Sequence, residues 1–156
     1  MWSIRPPRRR HDASLCWITD DLAIAAAPAV QQWRGLRALR IRAALDLRTL
    51  EEGGGSDPAA PDLAYRWFPI EDGTAPAPAD LFEVSSWLAS HLRAGPALIN
   101  CREGRGRSAL VACATLMRLG YSLETAYQVV RRGQPQVALS DDQVVVLEET
   151  IQSLKF

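Results

Sequence analysis

The succession of strand and helix patterns along this chain predicts an α/β protein, a three-layer sandwich whose central, mostly parallel sheet is flanked by helices. Three observations lead to that fold class. Short apolar runs alternate with segments of helical periodicity, the last third of the chain is helical throughout, and 47% of the 156 residues are hydrophobic. This content suffices for a hydrophobic core, and the length suits one domain.

The first half of the chain supplies most of the predicted strands. Short apolar runs bounded by turn residues predict strands at residues 15–18, 22–26, 43–47 and 63–70. A helix is predicted over residues 30–39, because apolar side chains recur there at helical spacing. Loops rich in Gly, Pro and Asp are predicted at residues 51–61 and 71–78.

The second half of the chain adds one strand, at residues 97–100, and four helices. The helices are predicted over residues 81 to about 95, 108–119, 123–131 and from 140 onward. Asp80 and Ser122 are the expected N-terminal caps of the first and third of them. The last begins with Ser-Asp-Asp-Gln at Ser140, which matches a capping box.

Residues 1–13 are expected to form a flexible basic tail outside a single folded domain of residues 14–156. Six of the ten residues from 1 to 10 are Arg or Pro in one run, Arg5 to Arg10, and such a run cannot pack a core. A weak contact between this Arg cluster and anionic membranes is the alternative to a tail without function. The formal net charge is +0, so no overall positive field favours nucleic acid as a partner.

The sequence shows no pattern typical of secretion, membrane insertion or metal binding. No apolar run reaches the ~18 residues of a membrane span, and the N-terminus lacks the apolar core of a signal peptide. Three Cys do not form a disulfide framework, and two His without a Cys-x-x-Cys pair do not make a metal site. We therefore expect a cytoplasmic protein without a metal or other cofactor.

Residues 98–109 read Leu-Ile-Asn-Cys-Arg-Glu-Gly-Arg-Gly-Arg-Ser-Ala and carry the clearest chemical pattern. An apolar strand leads into Cys101, and an apolar helix follows the loop. A loop at such a junction points several backbone N–H groups into one space, where they bind a phosphate dianion. Gly104 and Gly106 permit a tight backbone path. Arg107 can add a forked contact to two phosphate oxygens.

Cys101 is predicted to be a nucleophile at the base of this phosphate cradle. The converging N–H groups and the helix dipole favour its thiolate, which is then placed for in-line attack on phosphorus. Ser108 can donate its hydroxyl to the sulfur and ease the departure of the sulfur from the phosphoenzyme. The residues expected to bind the substrate phosphate are those of the loop: Arg102, Glu103, Gly104, Arg105, Gly106 and Arg107.

The Cys-x5-Arg spacing of Cys101 and Arg107, followed by Ser108, resembles the dual-specificity branch of the protein tyrosine phosphatase superfamily. The resemblance covers most of the chain from about Cys16 onward. It implies two-step hydrolysis through phosphocysteine without a metal, with Cys101 as nucleophile, Arg107 as phosphate clamp and Ser108 as partner of the thiolate. Asn100 stands where the family usually has His. We expect activity to survive this departure, because the loop amides and Arg107 remain.

A phosphoester also needs a proton for its leaving oxygen, and the loop after residue 68 offers two carboxylates. Its Pro-x-x-Asp-Gly form resembles the acid loop of compact dual-specificity and regenerating-liver-type phosphatases. That match aligns Asp72 with the general acid. Glu71 is the second candidate and Asp80 the third.

Three further polar residues resemble family positions without entering the predicted site. Asp46 and Arg48, at the end of a core strand, are expected to form a structural pair. In some relatives a Gln positions the hydrolytic water, but Gln143 is predicted here to be a residue on the surface of the last helix. We therefore leave it out of the site.

The charges of the phosphate loop bear on the substrate. Arg102 and Arg105 resemble basic positions of phosphoinositide and phosphatidylglycerophosphate phosphatases, whereas Glu103 opposes a polyanionic substrate. We predict a dual-specificity protein phosphatase, whose partners are phosphorylated proteins or small phosphoesters. The alternatives are a phospholipid or inositol-phosphate phosphatase and a phosphate-binding module with weak turnover.

Overall fold

The computed structural model describes residues 15–26, 33–103 and 105–154, and a five-stranded mixed sheet forms its centre. The strands are β1 (Leu15–Trp17), β2 (Leu22–Ala26), β3 (Ala43–Asp46), β4 (Ala64–Trp67) and β5 (Ala97–Cys101). Their order across the sheet is β1-β2-β5-β3-β4, and only β1 pairs antiparallel with its neighbour. The predicted α/β fold with a mostly parallel sheet is confirmed.

Helices flank the two faces of this sheet unequally. They are α1 (Trp33–Ala38), α2 (Pro78–Leu92), α3 (Arg107–Arg118), α4 (Leu123–Gly133) and α5 (Asp141–Leu154). The larger core lies between the sheet and helices α2 to α5. On the opposite face Leu36 of α1 packs with Trp17 and Leu98. Among the described helices, the four longest therefore share one layer.

Strand β5 lies in the middle of the sheet and determines where the site forms. All five of its residues are buried, as expected of a parallel strand covered on both faces. Its side chains alternate, so Ile99 and Cys101 face the larger core while Leu98 faces the smaller one. Cys101 is the last residue of β5, at the edge of the sheet where the parallel strands end and open α/β sheets bind ligands.

Several predicted element boundaries were wrong, and at two of them a proline gives the reason. Strand β4 ends at Trp67 rather than at residue 70, and Pro69, which has no N–H for a ladder, follows two residues later. Helix α2 begins at Pro78 after Ala77, so Asp80 is in its first turn and is not its cap. Pro at the first helical position needs no N–H partner, and its fixed φ suits the helix start.

The two serine caps were predicted correctly. Ser122 Oγ accepts a hydrogen bond from the N–H of Thr125 at 3.1 Å. Ser140 and Gln143 form the full capping box, with each side-chain oxygen accepting from the other residue's N–H. The predicted tail, residues 1–13, lies outside the described residues, as does the start of the helix predicted over 30–39. No helix in the described ranges has both the length and the hydrophobicity to cross a membrane.

Candidate active site

A cavity of about 320 Å³ opens above Cys101 at the end of β5. Three segments that are far apart in sequence form its wall. They are the loop before α2 (Asp72, Gly73), the phosphate loop and start of α3 (Cys101, Glu103, Arg105, Gly106, Arg107), and the approach to α5 (Ala138, Ser140, Gln143). The cavity thus brings together most of the residues that the sequence analysis assigned to one site.

Arg107, the first residue of α3, is 2% exposed and is held by three hydrogen bonds. Its Nη1 donates to Glu52 Oε1 at 2.6 Å and to the Ile70 carbonyl at 2.8 Å, and its Nη2 donates to Glu52 Oε2 at 2.8 Å. A guanidinium group has five N–H donors. The bonds to the described residues leave Nε–H and one Nη2–H, which form a single edge and match the fork that binds two phosphate oxygens.

Glu52 is a residue of this site that the sequence analysis did not name. Its hydrogen bonds with Arg107 outweigh the opposing effect of burial and lower the pKa of its carboxyl group to about 2. The N–H and hydroxyl of Thr49 also donate to Glu52 Oε1, at 3.0 and 3.1 Å. A buried guanidinium requires an anion nearby, but the sequence did not say which acid of the loop would supply it.

Asp72 lies at the tip of a turn that borders the cavity. The N–H of Thr74 donates to the carbonyl of Glu71 at 3.1 Å and closes the turn, and Gly73 has a φ of +75°, which favours glycine. The Asp72 side chain is 72% exposed, and its Oδ1 lies 3.7 Å from Nε of Arg107. The turn therefore places this carboxylate beside the unoccupied edge of the guanidinium group.

The two other candidate acids lie elsewhere. Glu71 and Asp80 line a separate groove of about 510 Å³, together with apolar side chains such as Phe68 and Pro76. Neither borders the cavity above Cys101. Of these adjacent acids, Asp72 borders the cavity above Cys101 and Glu71 borders the other groove.

Ser108 follows Arg107 in the first turn of α3 and is fully buried. Its Oγ has no hydrogen-bond partner among the described residues. A buried hydroxyl without a hydrogen-bond partner can donate its hydrogen bond to an atom that becomes negatively charged during a reaction. Cys113, on the same helix, is also buried, and burial raises the pKa of its thiol to about 12, as expected of a small side chain packed in the core.

The predicted pair of Asp46 and Arg48 is part of a buried polar cluster behind the phosphate loop. Arg48 donates to both carboxylate oxygens of Asp46, at 3.0 and 3.2 Å, and the hydroxyl of Tyr65 donates to Asp46 Oδ2 at 2.7 Å. Burial alone would raise the pKa of Asp46, but these hydrogen bonds hold it below its ordinary value. Burial and the carboxylate of Asp46 raise the pKa of Tyr65.

Asn100 joins this cluster and lies on the opposite face of β5 from Cys101. In the amide orientation that satisfies both ends, its oxygen accepts from Arg48 Nε at 3.0 Å. Its nitrogen then donates to the carbonyls of Ala25 and Ala26, each at 3.3 Å. The residue therefore ties the ends of β2 and β5 to Arg48 through groups that do not titrate near neutral pH.

The remaining loop residues are placed unequally around the cavity. Glu103 and Arg105 line it, whereas Arg102 is exposed and does not. Gly104 lies outside the described residues. Gly106 borders the cavity with a φ of −111°, a backbone conformation that does not require glycine. The Arg105 carbonyl accepts from the N–H of Ala138 at 3.1 Å, which joins the loop to the approach to α5.

Gln143 was predicted to lie on the surface of α5, and this prediction was wrong. The residue is 2% exposed and borders the cavity. Its Nε2 donates to the carbonyl of Thr74 at 3.1 Å, so it contacts the turn that carries Asp72. The capping-box pattern was a usable signal, because the last residue of such a box turns back toward the start of its helix.

Comparison with known proteins gives relatives in sequence and in structure, although no family model matches the chain. Dual specificity phosphatase 28 of Mus musculus is 33% identical over 104 residues, which cover 65% of this chain and 64% of the relative. Dual specificity phosphatase 28 of Homo sapiens is 40% identical over 81 residues, which cover 50% of this chain and 46% of the relative. This chain therefore spans less than two thirds of the length of either curated relative.

A solved structure matches over more of the chain. The crystal structure of Tk-PTP in the active form superposes with a TM-score of 0.79 and 30% sequence identity. The match covers 90% of this chain and 97% of the Tk-PTP chain. The similarity in structure therefore extends over nearly the whole of both chains.

Proposed function

Because this chain belongs to the dual-specificity branch of the cysteine-based protein tyrosine phosphatase superfamily, we propose that it hydrolyses phosphoesters of proteins through a phosphocysteine intermediate. One observation carries the proposal: Cys101, Arg107 and Asp72 border a single cavity. Attack on phosphorus, stabilisation of its oxygens and proton transfer then each have a residue in reach.

In the first step, the Cys101 thiolate attacks phosphorus, and a sulfur–phosphorus bond forms as the bond to the ester oxygen breaks. The free edge of Arg107 and the loop N–H groups bind the phosphoryl oxygens, whose charge they stabilise in the transition state. Asp72 gives its proton to the leaving oxygen, which departs as an alcohol or phenol.

In the second step, water attacks the phosphocysteine, and the Asp72 carboxylate accepts the proton of that water. The sulfur–phosphorus bond breaks, phosphate is released and Cys101 returns to the thiolate. The Ser108 hydroxyl, buried and without a described partner, donates to the departing sulfur. This donation stabilises the charge that develops on the sulfur as the bond breaks.

The charges of the cavity wall favour a substrate with one phosphate. Arg105 and Arg107 are matched there by Asp72 and Glu103, while Arg102 does not border the cavity. A lipid or inositol headgroup with several phosphates needs an excess of positive charge on the cavity wall. The Glu103 carboxylate repels such a headgroup. Phosphoproteins are therefore the proposed substrates, with lipid or inositol phosphates as the alternative that Arg105 supports.

The first test is hydrolysis of p-nitrophenyl phosphate by the purified protein in the presence of EDTA, beside the Cys101→Ser variant. We expect turnover by the protein and a loss of at least about 10⁴-fold in the variant, because the serine hydroxyl is a far weaker nucleophile than a thiolate. Retained activity in Cys101→Ser would contradict the phosphocysteine mechanism. Binding of vanadate without turnover in either protein would indicate a phosphate-binding module instead.

A substrate panel then separates the proposed substrate from its alternative. Peptides that carry phosphotyrosine, phosphothreonine or phosphoserine are compared with phosphatidylinositol phosphates in detergent micelles by phosphate release. We expect higher kcat/KM on the peptides. For Glu103→Gln, we expect the ratio to shift toward the lipids, because the variant removes one negative charge from the wall. A preference for lipids in the unmodified protein would reverse the assignment of the substrate.

We also propose that the protein acts in the cytoplasm and that residues 1–13 make at most a weak contact with anionic membranes. The cluster of Arg in this segment supports a contact of that kind. Deletion of residues 1–13 is expected to abolish any sedimentation with anionic liposomes at low salt while leaving p-nitrophenyl phosphate hydrolysis unchanged. Equal sedimentation with and without the segment would rule out this contact.

A further inference from the structure

Gln143 connects helix α5 to the turn that carries Asp72. Its side chain is 2% exposed and borders the cavity together with Gly73. Its Nε2 donates to the Thr74 carbonyl at 3.1 Å, across 69 positions of sequence. A buried carboxamide needs partners at both of its ends, and here the two ends bind different elements.

The oxygen end of this carboxamide is fixed at the start of α5. Oε1 of Gln143 accepts from the Ser140 N–H at 3.0 Å, and the Gln143 N–H donates to Ser140 Oγ at 3.2 Å. Helix α5 in turn packs against the larger core through Leu147. The amide nitrogen that reaches Thr74 is therefore presented by a supported element rather than by a loop.

The turn itself is exposed, and its internal bonds do not fix its position over the cavity. Residues 71–74 are exposed, and Thr74 uses both its N–H and its hydroxyl to bind the carbonyl of Glu71 within the turn. The ion pair between Asp72 and Arg107 does cross the cavity, at 3.7 Å. A bound phosphate competes for that edge of Arg107, whereas the bond from Gln143 does not involve the edge and persists.

We propose that Gln143 is a positioning residue, which holds Asp72 over the cavity by donating to the Thr74 carbonyl; this inference rests on the proposed phosphatase function. Asp72 transfers its proton only within hydrogen-bond distance of the leaving oxygen. A displacement of the turn by about 1 Å therefore slows the cleavage of esters that need the proton. Esters with a good leaving group, such as nitrophenolate, are cleaved almost without it.

The test compares Gln143→Glu with a matched variant, Gln128→Glu. The carboxylate introduced at position 143 still accepts from the Ser140 N–H but cannot donate to Thr74. Gln128 is exposed on α4 and does not border the cavity, so its variant makes the same change of charge elsewhere. For Gln143→Glu we expect kcat/KM within about threefold of the unmodified enzyme on p-nitrophenyl phosphate and about 30-fold lower on phenyl phosphate, since kcat/KM excludes the hydrolysis of phosphocysteine that both substrates share. Gln128→Glu is expected to change neither value.

Two further measurements exclude a merely structural effect. Protonation of the carboxyl introduced by Gln143→Glu restores a donor, so its defect on phenyl phosphate, relative to the unmodified enzyme, is expected to shrink as the pH falls to about 5. In the double variant with Asp72→Asn, the second substitution is expected to add little, because both remove the same proton transfer. Should Gln143→Glu fail to fold by circular dichroism, Gln143→Met lacks the donor at a similar length and carries the same expectation for the two substrates.

The outcomes separate this inference from the proposed function. Unchanged kcat/KM on both substrates with accumulation of phosphoenzyme would place Gln143 in the attack of water alone and overturn the inference. Additive losses in the double variant, or the same behaviour of Gln143→Glu and Gln128→Glu in an active enzyme, would overturn it as well. An unmodified protein that hydrolyses neither ester would overturn the proposed function and this inference with it.

Discussion

The phosphate loop and the acid turn form opposite walls of one cavity, yet they are held in different ways. On the loop side, Cys101 and Arg107 are each 2% exposed and Ser108 is fully buried. On the turn side, the Asp72 side chain is 72% exposed. The loop takes its position from β5 and α3, its neighbours in sequence. The turn takes its position from Gln143, which is remote in sequence.

Substitutions in the phosphate loop and in the acid turn are therefore expected to have different effects on catalysis. A change in the phosphate loop alters the binding and charge stabilisation of every phosphoester, since all substrates share the phosphoryl group. A change at the turn alters proton transfer, whose importance for cleavage of the ester depends on the leaving group, whereas its importance for hydrolysis of the phosphocysteine is the same for every substrate.

Replacement of Arg107 by Lys is expected to lower kcat/KM by about 10³-fold or more on all substrates, because one ammonium group cannot bind Glu52 and form a fork to phosphate together. The measurement is steady-state hydrolysis of p-nitrophenyl and phenyl phosphate. Arg118→Lys is the control, since Arg118 lies on the same helix but stacks on Phe82 at 4.7 Å, away from the cavity. A variant at position 107 that kept activity within tenfold would show that the fork is dispensable.

Replacement of Asp72 by Asn is expected to lower kcat/KM by about 10²-fold on phenyl phosphate and by less than about tenfold on p-nitrophenyl phosphate, because the amide cannot supply the proton and kcat/KM reports the cleavage of the ester rather than the hydrolysis of phosphocysteine. Substrate capture, measured as inhibition by vanadate, is expected to stay unchanged. Glu71→Gln removes the neighbouring carboxylate, which lies in the other groove, and serves as control. If Glu71→Gln gave the larger loss on phenyl phosphate, the assignment of the acid would move to Glu71.

Replacement of Glu52 by Gln is expected to lower kcat/KM by about tenfold on both esters, because Arg107 loses the carboxylate that fixes its orientation. The exposed neighbour Glu51 supplies the control, Glu51→Gln. A loss confined to phenyl phosphate would contradict this prediction, because Glu52 acts through the phosphate clamp and not through the proton.

The same carboxylate makes stability depend on pH. Contact with Arg107 lowers the pKa of Glu52 from 4.5 to about 2, so folding favours the charged form. Its contribution is complete above pH 4.5 and disappears as the pH falls toward 2. Urea denaturation of the unmodified protein and Glu52→Gln is expected to show a difference in stability at pH 7 that decreases below pH 4.5. A difference that grew on acidification would contradict this linkage.

The smallest effect on activity is expected for Asn100→Ala. The variant leaves the carbonyls of Ala25 and Ala26 without their donor, which costs about 1–3 kcal/mol of folding stability. Because this side chain lies on the opposite face of β5 from Cys101, we expect kcat to fall by less than about threefold. Urea denaturation and the pH dependence of inactivation by iodoacetate measure the two effects. A large shift in that pH dependence would show that Asn100 acts on the thiolate.

The strand, the phosphate loop and the helix that hold Cys101, Arg107 and Ser108 could all be predicted from the amino-acid sequence. These three elements are contiguous, so apolar runs and the spacing of Cys and Arg report them directly. The parallel sheet followed from the same alternation of strands and helices. Boundaries were less accurate at β4 and α2, where proline rather than hydrophobicity sets the ends.

The side chains from distant parts of the sequence that complete the site could be recognised only in the folded protein. The periodicity of apolar residues indicates that a residue is buried, but it does not tell which distant element packs against that residue. The sequence therefore did not distinguish Glu52 from the other acids of its loop as the partner of Arg107. Only the resemblance of the loop to the family ranked Asp72 above Glu71, and in the structure the turn with Gly73 brings Asp72, but not Glu71, to the cavity. For Gln143, the sequence predicted the capping bond to Ser140, which is local. It did not predict the bond to Thr74, which forms only when α5 packs beside the turn.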